Sequence, residues 1–275
     1  MTKLALPALT LASLLVACGP PELDEEAKGA SSAHVVGGRH ENGHEAVGYL
    51  AVGSGGRLTP QSSCGATLIA PQVAITAAHC IVLTRRDGID TYGYGLGATG
   101  GEVFRAARVL VHPGYDPDGA QRYRHDVAVL ILESAPPVTP VEIAPAPVRA
   151  QATYVGYGRT TRGGSTVQTG YTDERKSARL RIDRDDGRNV FTTGLDGGLC
   201  WGDSGGPLLV GDTVVGVLAD FDRVFSCEVG NRMIFTSLDA ELDFIDSAID
   251  GDGGAQGDDD DDTGESWELE WEIEW

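Results

Sequence analysis

The sequence predicts an all-β fold, and three of its features support this class. Glycine is abundant, with 38 residues, whereas aromatic residues make up only 7% of the chain, which suits many short strands joined by tight turns. Residues 47–52 and 65–78 alternate apolar with small or polar side chains, as expected of hairpins. Residues 103–112 and 127–132 have strand patterns, while the glycine-rich residues 84–102 are predicted to be irregular.

Proline placement and a C-terminal periodicity divide the chain further. Five prolines between residues 136 and 147 interrupt the strand pattern and predict a linker between two halves. Apolar residues at positions 238, 242, 245 and 249 have the spacing of an amphipathic helix, which we expect over residues 238–249. The region from residue 35 to residue 249 is long enough to bury a substantial core.

The net charge of −20 is unevenly distributed along the chain. Residues 250–275 contain twelve acidic residues and no lysine or arginine, whereas residues 35–249 contain 25 acidic and 19 basic residues. The central region is therefore only mildly acidic, and it lacks the basic patches of a nucleic-acid-binding protein. We expect no nucleic-acid partner.

The first 34 residues have the composition of an export segment followed by a tether. Lys3 precedes an apolar run that is too short to span a bilayer, and residues 1–17 are predicted to be a signal peptide. Residues 18–34 are rich in Pro, Glu, Ser and Ala, and we expect a flexible tether or propeptide there. Export would place the chain in a compartment that permits disulfides.

The strongest chemical motif is Gly202-Asp203-Ser204-Gly205-Gly206-Pro207. A serine hydroxyl is a poor nucleophile at neutral pH unless a base removes its proton and the backbone exposes it. Glycine tolerates backbone dihedrals closed to other residues, so the amides of Gly202 and Ser204 can point at one spot and form an oxyanion hole. A simple Gly/Pro turn that contains a hydroxyl is the alternative interpretation.

A base and a carboxylate for this serine are present upstream. The stretch Thr76-Ala77-Ala78-His79-Cys80 supplies an imidazole. Asp126, directly before the strand pattern at residues 127–132, supplies a carboxylate that would hold the imidazole in one tautomer. His125 adjoins Asp126 but lacks a surrounding motif, so His79 is the preferred base and His125 the alternative.

These motifs occur in the order His, Asp, Ser, together with Val35-Val36-Gly37-Gly38, and they resemble the trypsin-like serine endopeptidases over residues 35–249. The resemblance implies two antiparallel six-stranded β-barrels, at about residues 35–135 and 150–237, followed by the C-terminal helix. It also implies that His79, Asp126 and Ser204 form a catalytic triad that hydrolyses protein or peptide substrates through an acyl-enzyme, without a metal or an organic cofactor. The alternatives are an inactive binding or adhesion protein on the same fold and an acyl or ester hydrolase with the same triad.

The resemblance further implies that the chain is made as a zymogen. In the family, cleavage before the equivalent of Val35 creates a new ammonium group, which pairs with the equivalent of Asp203 and shapes the oxyanion hole. His34 precedes the cut here instead of the usual Lys or Arg. We therefore expect a separate activating protease, whereas the alternative is that Val35 simply begins a strand.

Two bridges and a lipid anchor account for the five cysteines. By resemblance, Cys64 pairs with Cys80 and Cys200 pairs with Cys227, although four cysteines allow three connectivities. The stretch that ends in Ala17-Cys18 resembles a bacterial lipoprotein signal, which implies acylation of Cys18 and attachment to a membrane of the cell envelope. An ordinary secretory signal is the alternative.

The substrate side-chain pocket departs from the tryptic pattern. Gly198 stands where tryptic relatives place an Asp, so a buried substrate Lys or Arg would lack a counter-charge unless Asp196 supplied it. Phe221 replaces a glycine that keeps the pocket open, Asp220 replaces an aromatic residue, and Met233 falls near another pocket-wall glycine. We expect a preference for small or medium apolar side chains.

Residues 250–275 are predicted to be an acidic, disordered tail. A solvated run is favoured over calcium binding for the aspartates at 258–262. The last nine residues alternate apolar and acidic side chains, so an extended strand would carry five large apolar groups on one face. Such a strand is expected to dock on an envelope partner, on another copy or on the chain's own sheet edge, and an unstructured appendage is the alternative.

Overall fold

The computed structural model describes residue 35 and residues 38–97, 101–158, 175–222 and 227–251. These ranges contain fourteen strands, two α-helices and one 3₁₀ turn, beginning with the short strand β1 (Arg39–His40). The predicted signal peptide, the tether with Cys18, and the tail beyond residue 251 lie outside the described residues. None of the helices in the described ranges is long and apolar enough to cross a membrane.

Six antiparallel strands form a first closed barrel. They are β2 (Val47–Ser54), β3 (Arg57–Ala70), β4 (Val73–Thr76), β5 (Thr91–Leu96), β6 (Glu102–Val111) and β7 (Ala128–Leu132). Their order around the barrel is β2-β3-β4-β7-β6-β5, and the pairing of β5 with β2 closes it.

Strand β5 lies in the stretch that the sequence predicts to be irregular. Its glycines are required by packing, because a Cβ atom on Gly95 would overlap the ring of Tyr49. Tyr94, between two of these glycines, is fully buried in the core of the barrel. The glycine-rich composition therefore reflects close contacts with neighbouring strands, and the prediction for this segment was wrong.

A second set of six antiparallel strands closes a second barrel. They are β9 (Gln151–Gly156), β10 (Lys176–Asp185), β11 (Asn189–Gly194), β12 (Pro207–Val210), β13 (Thr213–Phe221) and β14 (Arg232–Ser237). The order is β9-β10-β11-β14-β13-β12, and β12 returns to pair with β9. Two short strands extend this sheet: β1 pairs with β10, and β8 (Glu142–Ile143), within the proline-rich linker, runs parallel to β13. The prediction of two six-stranded barrels is confirmed.

The two barrels share apolar core residues. The cluster inside the first barrel, which includes Leu68, Ile75 and Leu130, continues into Val155 and Val217 of the second barrel. A separate cluster fills the second barrel, and it contains Tyr154, Leu180, Phe235 and the buried Val35 among its members. Full burial of one such side chain stabilises the fold by about 1.5–3 kcal/mol. The shared cluster therefore contributes substantially to holding the two barrels together.

The C-terminal helix closes the chain against the first barrel. A 3₁₀ turn (Asp239–Glu241) precedes the helix, which spans Leu242–Asp250 and ends at Gly251 in the left-handed conformation. Ile245 and Ala248, three residues apart on this helix, both pack into the apolar cluster of the first barrel. Ala248 is buried in place of the predicted Ile249, which is 42% exposed.

Candidate active site

His79 lies in the first turn of helix α1 (Ala78–Arg86), which begins two residues after β4 ends. Two restraints hold this turn in place. The Cys64–Cys80 disulfide ties the residue after His79 to β3, and the Thr76 hydroxyl donates a 2.8 Å hydrogen bond to the carbonyl of Gly65. The helix was not predicted, because the histidine motif follows a strand without a side-chain cap.

Asp126 binds His79 through both carboxylate oxygens. Asp126 Oδ2 lies 2.6 Å from His79 Nδ1, and Oδ1 accepts a 2.7 Å hydrogen bond from the backbone N–H of His79. The carboxylate is buried, with 1% of the side chain exposed, and the Thr236 hydroxyl donates to the Asp126 carbonyl across the barrel interface. This pair of contacts orients the imidazole and places its Nδ1 toward the acid.

The environment of His79 favours its protonated form. Burial opposes the positive charge, but the charge and the hydrogen bond of Asp126 outweigh it, and Asp220 adds to the effect, so the pKa of His79 lies above its ordinary value. An imidazole with a raised pKa is a stronger proton acceptor. The hydrogen bond and the charge of Asp126 therefore both make His79 a better proton acceptor.

Close backbone packing docks the Ser204 loop on the segment that carries His79. The N–H of Gly65 donates a 2.7 Å hydrogen bond to the carbonyl of Ser204. Gly205 has φ 78°, and a Cβ atom there would lie 2.7 Å from the carbonyl oxygen of Gly65 and clash with Thr76. Only glycine fits this contact, which brings Ser204 to the cleft that His79 lines.

The backbone around Ser204 leaves two amides available. Asp203, Gly205 and Gly206 donate their N–H groups to backbone carbonyls, whereas the amides of Gly202 and Ser204 donate to none of the described residues. Gly202 has φ 91°, a conformation that other residues rarely adopt. The motif thus combines a serine with two available N–H donors.

Asp203 is fully buried beneath this loop. Its carboxylate accepts hydrogen bonds from the backbone N–H groups of Cys200 (2.7 Å) and Gly158 (3.1 Å), and burial raises the pKa of Asp203 to about 7. No cation among the described residues counters this rise. Val35, at the start of the described region, is buried in the same barrel, with φ 49°.

His79, Asp126 and Ser204 line a common cleft of about 790 Å³. Its lining residues are His79, Leu83, Tyr115, Pro117, Arg122, Asp126, Cys200, Trp201, Ser204, Leu218, Ala219, Asp220, Phe221 and Met233. The lining residue Cys200 forms a disulfide with Cys227. Of the predicted pocket residues, Phe221 and Met233 line the cleft as neighbours on β13 and β14.

Gly198 does not line the cleft. A Cβ atom at this position would lie 2.7 Å from the carbonyl oxygen of Cys227 and overlap the carbonyl of Glu228, so the backbone opposite fills the space that a side chain would need. Asp196, the alternative source of negative charge, is held at the surface by Arg179, whose Nε lies 2.7 Å from Asp196 Oδ2. Neither residue supplies a carboxylate to the cleft.

His112, His125 and Glu241 form a cluster outside the cleft. The buried Glu241 carboxylate lies 3.1 Å from His112 Nε2 and 3.0 Å from His125 Nδ1. The two rings are stacked, with an angle of 9° between their planes. A metal ion binds imidazole nitrogens in the ring plane, and one ion cannot lie in two parallel planes, so this is a hydrogen-bonded clamp. His125, the alternative base, belongs to this clamp.

The sequence analysis missed several residues that line the cleft. Arg122 comes from the long connection between β6 and β7 and forms an ion pair with Asp220, with 3.0 Å between Arg122 Nε and Asp220 Oδ2. Leu83 lies one helical turn beyond His79, and Trp201 is 59% exposed. The spacing of four from His79 to Leu83 is the only sequence signal that points to any of them.

Comparison with known proteins agrees with this arrangement. The family model described as Trypsin matches residues 35–245. Trypsin from Saccharopolyspora erythraea is 31% identical over 205 residues, which cover 66% of this chain and 85% of that protein. Chymotrypsin-like elastase family member 1 from Bos taurus is 30% identical over 210 residues, covering 68% and 79%.

A solved structure shares the fold. Neuropsin, a serine protease expressed in the limbic system of mouse brain, superimposes with a TM-score of 0.62 at 20% identity, covering 78% of this chain and 99% of neuropsin. The fold is thus that of the two-barrel serine proteases. The chain belongs to the trypsin family, and its activity class is serine endopeptidase.

Proposed function

We propose that this chain is an exported endopeptidase in which Ser204 is the nucleophile, His79 the general base and Asp126 the residue that orients the base. The observation that carries the proposal is the two-point contact of Asp126 with His79, at the edge of a cleft that Ser204 also lines. The two disulfides fit a protein that folds in an oxidising compartment.

The contacts of Asp126 with His79 support the following mechanism. His79 Nε2 takes the proton of Ser204 Oγ while Oγ attacks the carbonyl carbon of the scissile peptide bond. Asp126 accepts the hydrogen bond of Nδ1–H, keeps Nε2 available as the base and stabilises the imidazolium that forms. His79 then gives the proton to the leaving amine, and water repeats the sequence on the acyl-enzyme.

The amides of Gly202 and Ser204 are proposed to bind the tetrahedral oxyanion. Two preorganised N–H donors stabilise this charge where it develops, and loss of one such donor costs about 10²–10³ in rate. Neither amide donates to a described residue, so both are available to the substrate.

Cleavage before Val35 is proposed to activate the chain. No described residue supplies a cationic partner to the buried Asp203, and burial raises its pKa to about 7. A free ammonium on Val35, which is buried in the same barrel, would supply the missing charge. Cleavage would also remove the restraint on the φ of 49° at Val35, a conformation that is rare for a β-branched residue.

Labelling with a fluorophosphonate tests the nucleophile and the activation step together. We expect covalent labelling at Ser204, located by peptide mass spectrometry, and much faster labelling of a chain that begins at Val35 than of the uncut chain. N-terminal sequencing of active material should return Val35. Stoichiometric labelling at another serine would contradict the assignment of the nucleophile, and equal rates for both forms would contradict the activation step.

The same protein samples distinguish the two alternative functions, adhesion and ester hydrolysis. A non-catalytic adhesion protein would not be labelled. An esterase would turn over esters but not peptides that match its cleft. The intact contact between His79 and Asp126 favours catalysis over adhesion.

The cleft is proposed to prefer small or medium apolar side chains. Neither of the two positions considered for a pairing carboxylate supplies one, because Gly198 faces backbone and Asp196 binds Arg179. Phe221 and Met233 occupy the wall of the second barrel. Family membership does not decide this preference, since the relatives include both a trypsin and a chymotrypsin-like elastase.

Phe221→Ala is expected to widen the accepted range of side chains. Removal of the ring opens the cleft, so the ratio of kcat/KM for Phe over Ala before the scissile bond should rise about tenfold, within the range for a few buried methylene groups. Peptide-library profiling measures this ratio. Val148→Ala, an exposed position outside the cleft, is the control. A wild-type profile dominated by Arg or Lys would refute the pocket assignment.

The terminal segments retain their predicted roles as proposals. Cys18 is proposed to carry the lipid that anchors the chain to a membrane of the cell envelope. The tail after residue 250 is proposed to dock on an envelope partner. An activating protease other than a trypsin is proposed because His34 precedes the cut.

A further inference from the structure

The edge of β13 that borders the cleft changes its partners along its length. From Thr213 to Val217 the strand pairs with β12, and the next residue, Leu218, exchanges hydrogen bonds with the loop at Gly205 and Gly206. Strand pairing on this side ends there, although pairing with β14 on the other side continues to Phe221. The last three residues of β13 therefore line the cleft with one edge.

The backbone N–H of Phe221 points outward from this edge. The next residue, Asp222, donates its N–H to the carbonyl of Arg232 on the β14 side. Because successive N–H groups of a strand point to opposite sides, the N–H of Phe221 points away from β14 and toward the cleft. An extended peptide that added to this edge would accept a hydrogen bond from that N–H.

Asp220 already occupies this donor. Its Oδ1 accepts a 2.8 Å hydrogen bond from the N–H of Phe221. Its Oδ2 accepts a 3.0 Å hydrogen bond from Arg122 Nε, and the two partners of this ion pair are on different barrels. Hydrogen bonds to a carboxylate are roughly twice as strong as those between neutral groups, so the carbonyl of a peptide is the weaker competitor.

The same residues separate two cavities. The cleft with Ser204 and a second cavity of about 570 Å³ share Arg122, Asp220 and Phe221 in their linings. The second cavity lies beyond the end of β13 and is also lined by Arg184 and Phe191, with the guanidinium of Arg184 stacked 3.6 Å from the ring centre. A peptide that followed the edge of β13 away from Ser204 would have to pass between Arg122 and Asp220 to reach it.

We propose that Arg122 and Asp220 form a gate that caps the substrate-binding edge of β13, so that Asp220 determines how much the enzyme gains from substrate residues on the acyl side of the scissile bond. With the gate closed, the enzyme favours substrates held by the residue before the bond and by the leaving-group side. With the gate open, an extended chain pairs with Phe221 and reaches the second cavity. This inference rests on the proposed function of Ser204.

Two anilide substrates measure the gate directly. One carries a single acetylated alanine before the anilide, and the other carries an acetylated alanine tetrapeptide. In the chain that begins at Val35, extension should raise kcat/KM about threefold or less for the wild type and about tenfold or more for Asp220→Ala, which releases one backbone donor. Arg122→Ala should give an intermediate gain, because it removes the group that holds Asp220 in place.

The ratio of kcat/KM for the long substrate to that for the short one cancels effects of the substitution that are common to both substrates. Asp220 raises the pKa of His79, so its loss alters the absolute rate on both substrates, but not the gain from extension at a fixed pH. Asp212→Ala, an exposed acid at the other end of the same hairpin, is the matched control and should keep the wild-type ratio. Arg122 is 65% exposed, so 1 M salt should weaken the ion pair and raise the gain in the wild type and in Asp212→Ala, but not in Asp220→Ala or Arg122→Ala.

The outcomes distinguish the gate from the proposed function. Equal gains in the wild type, Asp220→Ala and Arg122→Ala would overturn the gate while the short substrate is still hydrolysed. A wild type that already gains more than tenfold would overturn it as well. If the wild type hydrolyses neither substrate and Ser204 is not labelled, the proposed function fails first. Arg122→Ala provides the same test if Asp220→Ala does not fold.

Discussion

Ser204→Ala is expected to lower kcat for peptide hydrolysis by about 10⁶-fold, the size of effect seen when a serine protease loses its nucleophile. The hydroxyl is the atom that forms the acyl-enzyme, and no neighbouring group in the cleft replaces it. The docking of the loop depends on the backbone of Ser204 and on Gly205, so the fold should be retained. Single-turnover kinetics and circular dichroism on chains that begin at Val35 measure both quantities.

A matched control for this experiment is available in the C-terminal helix. Ser247 is exposed on α2, and Ser247→Ala should keep wild-type kinetics and fluorophosphonate labelling. The residual rate of Ser204→Ala should still exceed that of water by about 10³–10⁴, because the oxyanion donors and substrate binding remain. Hydrolysis by Ser204→Ala at the wild-type rate would show that Ser204 is not the nucleophile.

Asp126→Asn is expected to lower kcat by about 10⁴-fold with little change in the fold. The amide presents an N–H where the carboxylate accepts one, so the imidazole loses the tautomer that leaves Nε2 free. The buried position limits the ways in which water can restore the contact. Steady-state rates over a range of pH measure this effect.

Asp126→Asn is also expected to shift the pH dependence of the rate. Activity requires neutral His79, so the wild-type rate should rise with pH through the raised pKa of His79 and be lost below it. The Asp126→Asn substitution removes the main group that raises this pKa, so the acid limb should move to lower pH. Asp212→Asn is the control and should leave the acid limb in place. An acid limb that moved to higher pH would contradict the role of Asp126.

The fold class and the residues of the site were predictable to different degrees from the sequence. His79, Asp126 and Ser204 lie in short contiguous motifs whose glycines and small residues serve local needs, such as the positive φ of Gly205 against Thr76. A local pattern of this kind is visible without knowledge of the distant chain. Both disulfides and the two barrels follow from the same resemblance.

Features that depend on distant partners were not predictable in this way. Arg122 and Asp220 are 98 residues apart, and no sequence motif around either residue indicates that they pair. Strand β5 was missed because its glycines are explained only by contacts with other strands, such as that of Gly95 with the ring of Tyr49 on β2. Gly198 was assigned to the pocket by position, and the carbonyls of Cys227 and Glu228 fill the space that a side chain there would need. Each case needs a tertiary contact that no local window contains.

The apolar cluster that continues from the first barrel into Val155, Leu209 and Val217 makes the two halves energetically inseparable. Neither half can melt without exposing side chains that complete the interior of the other, so unfolding is expected to be a single all-or-none event. The imidazole of His79 and the hydroxyl of Ser204 come from opposite barrels. A substitution that loosens the interface between the barrels is therefore expected to abolish activity even when both sheets keep their hydrogen bonds.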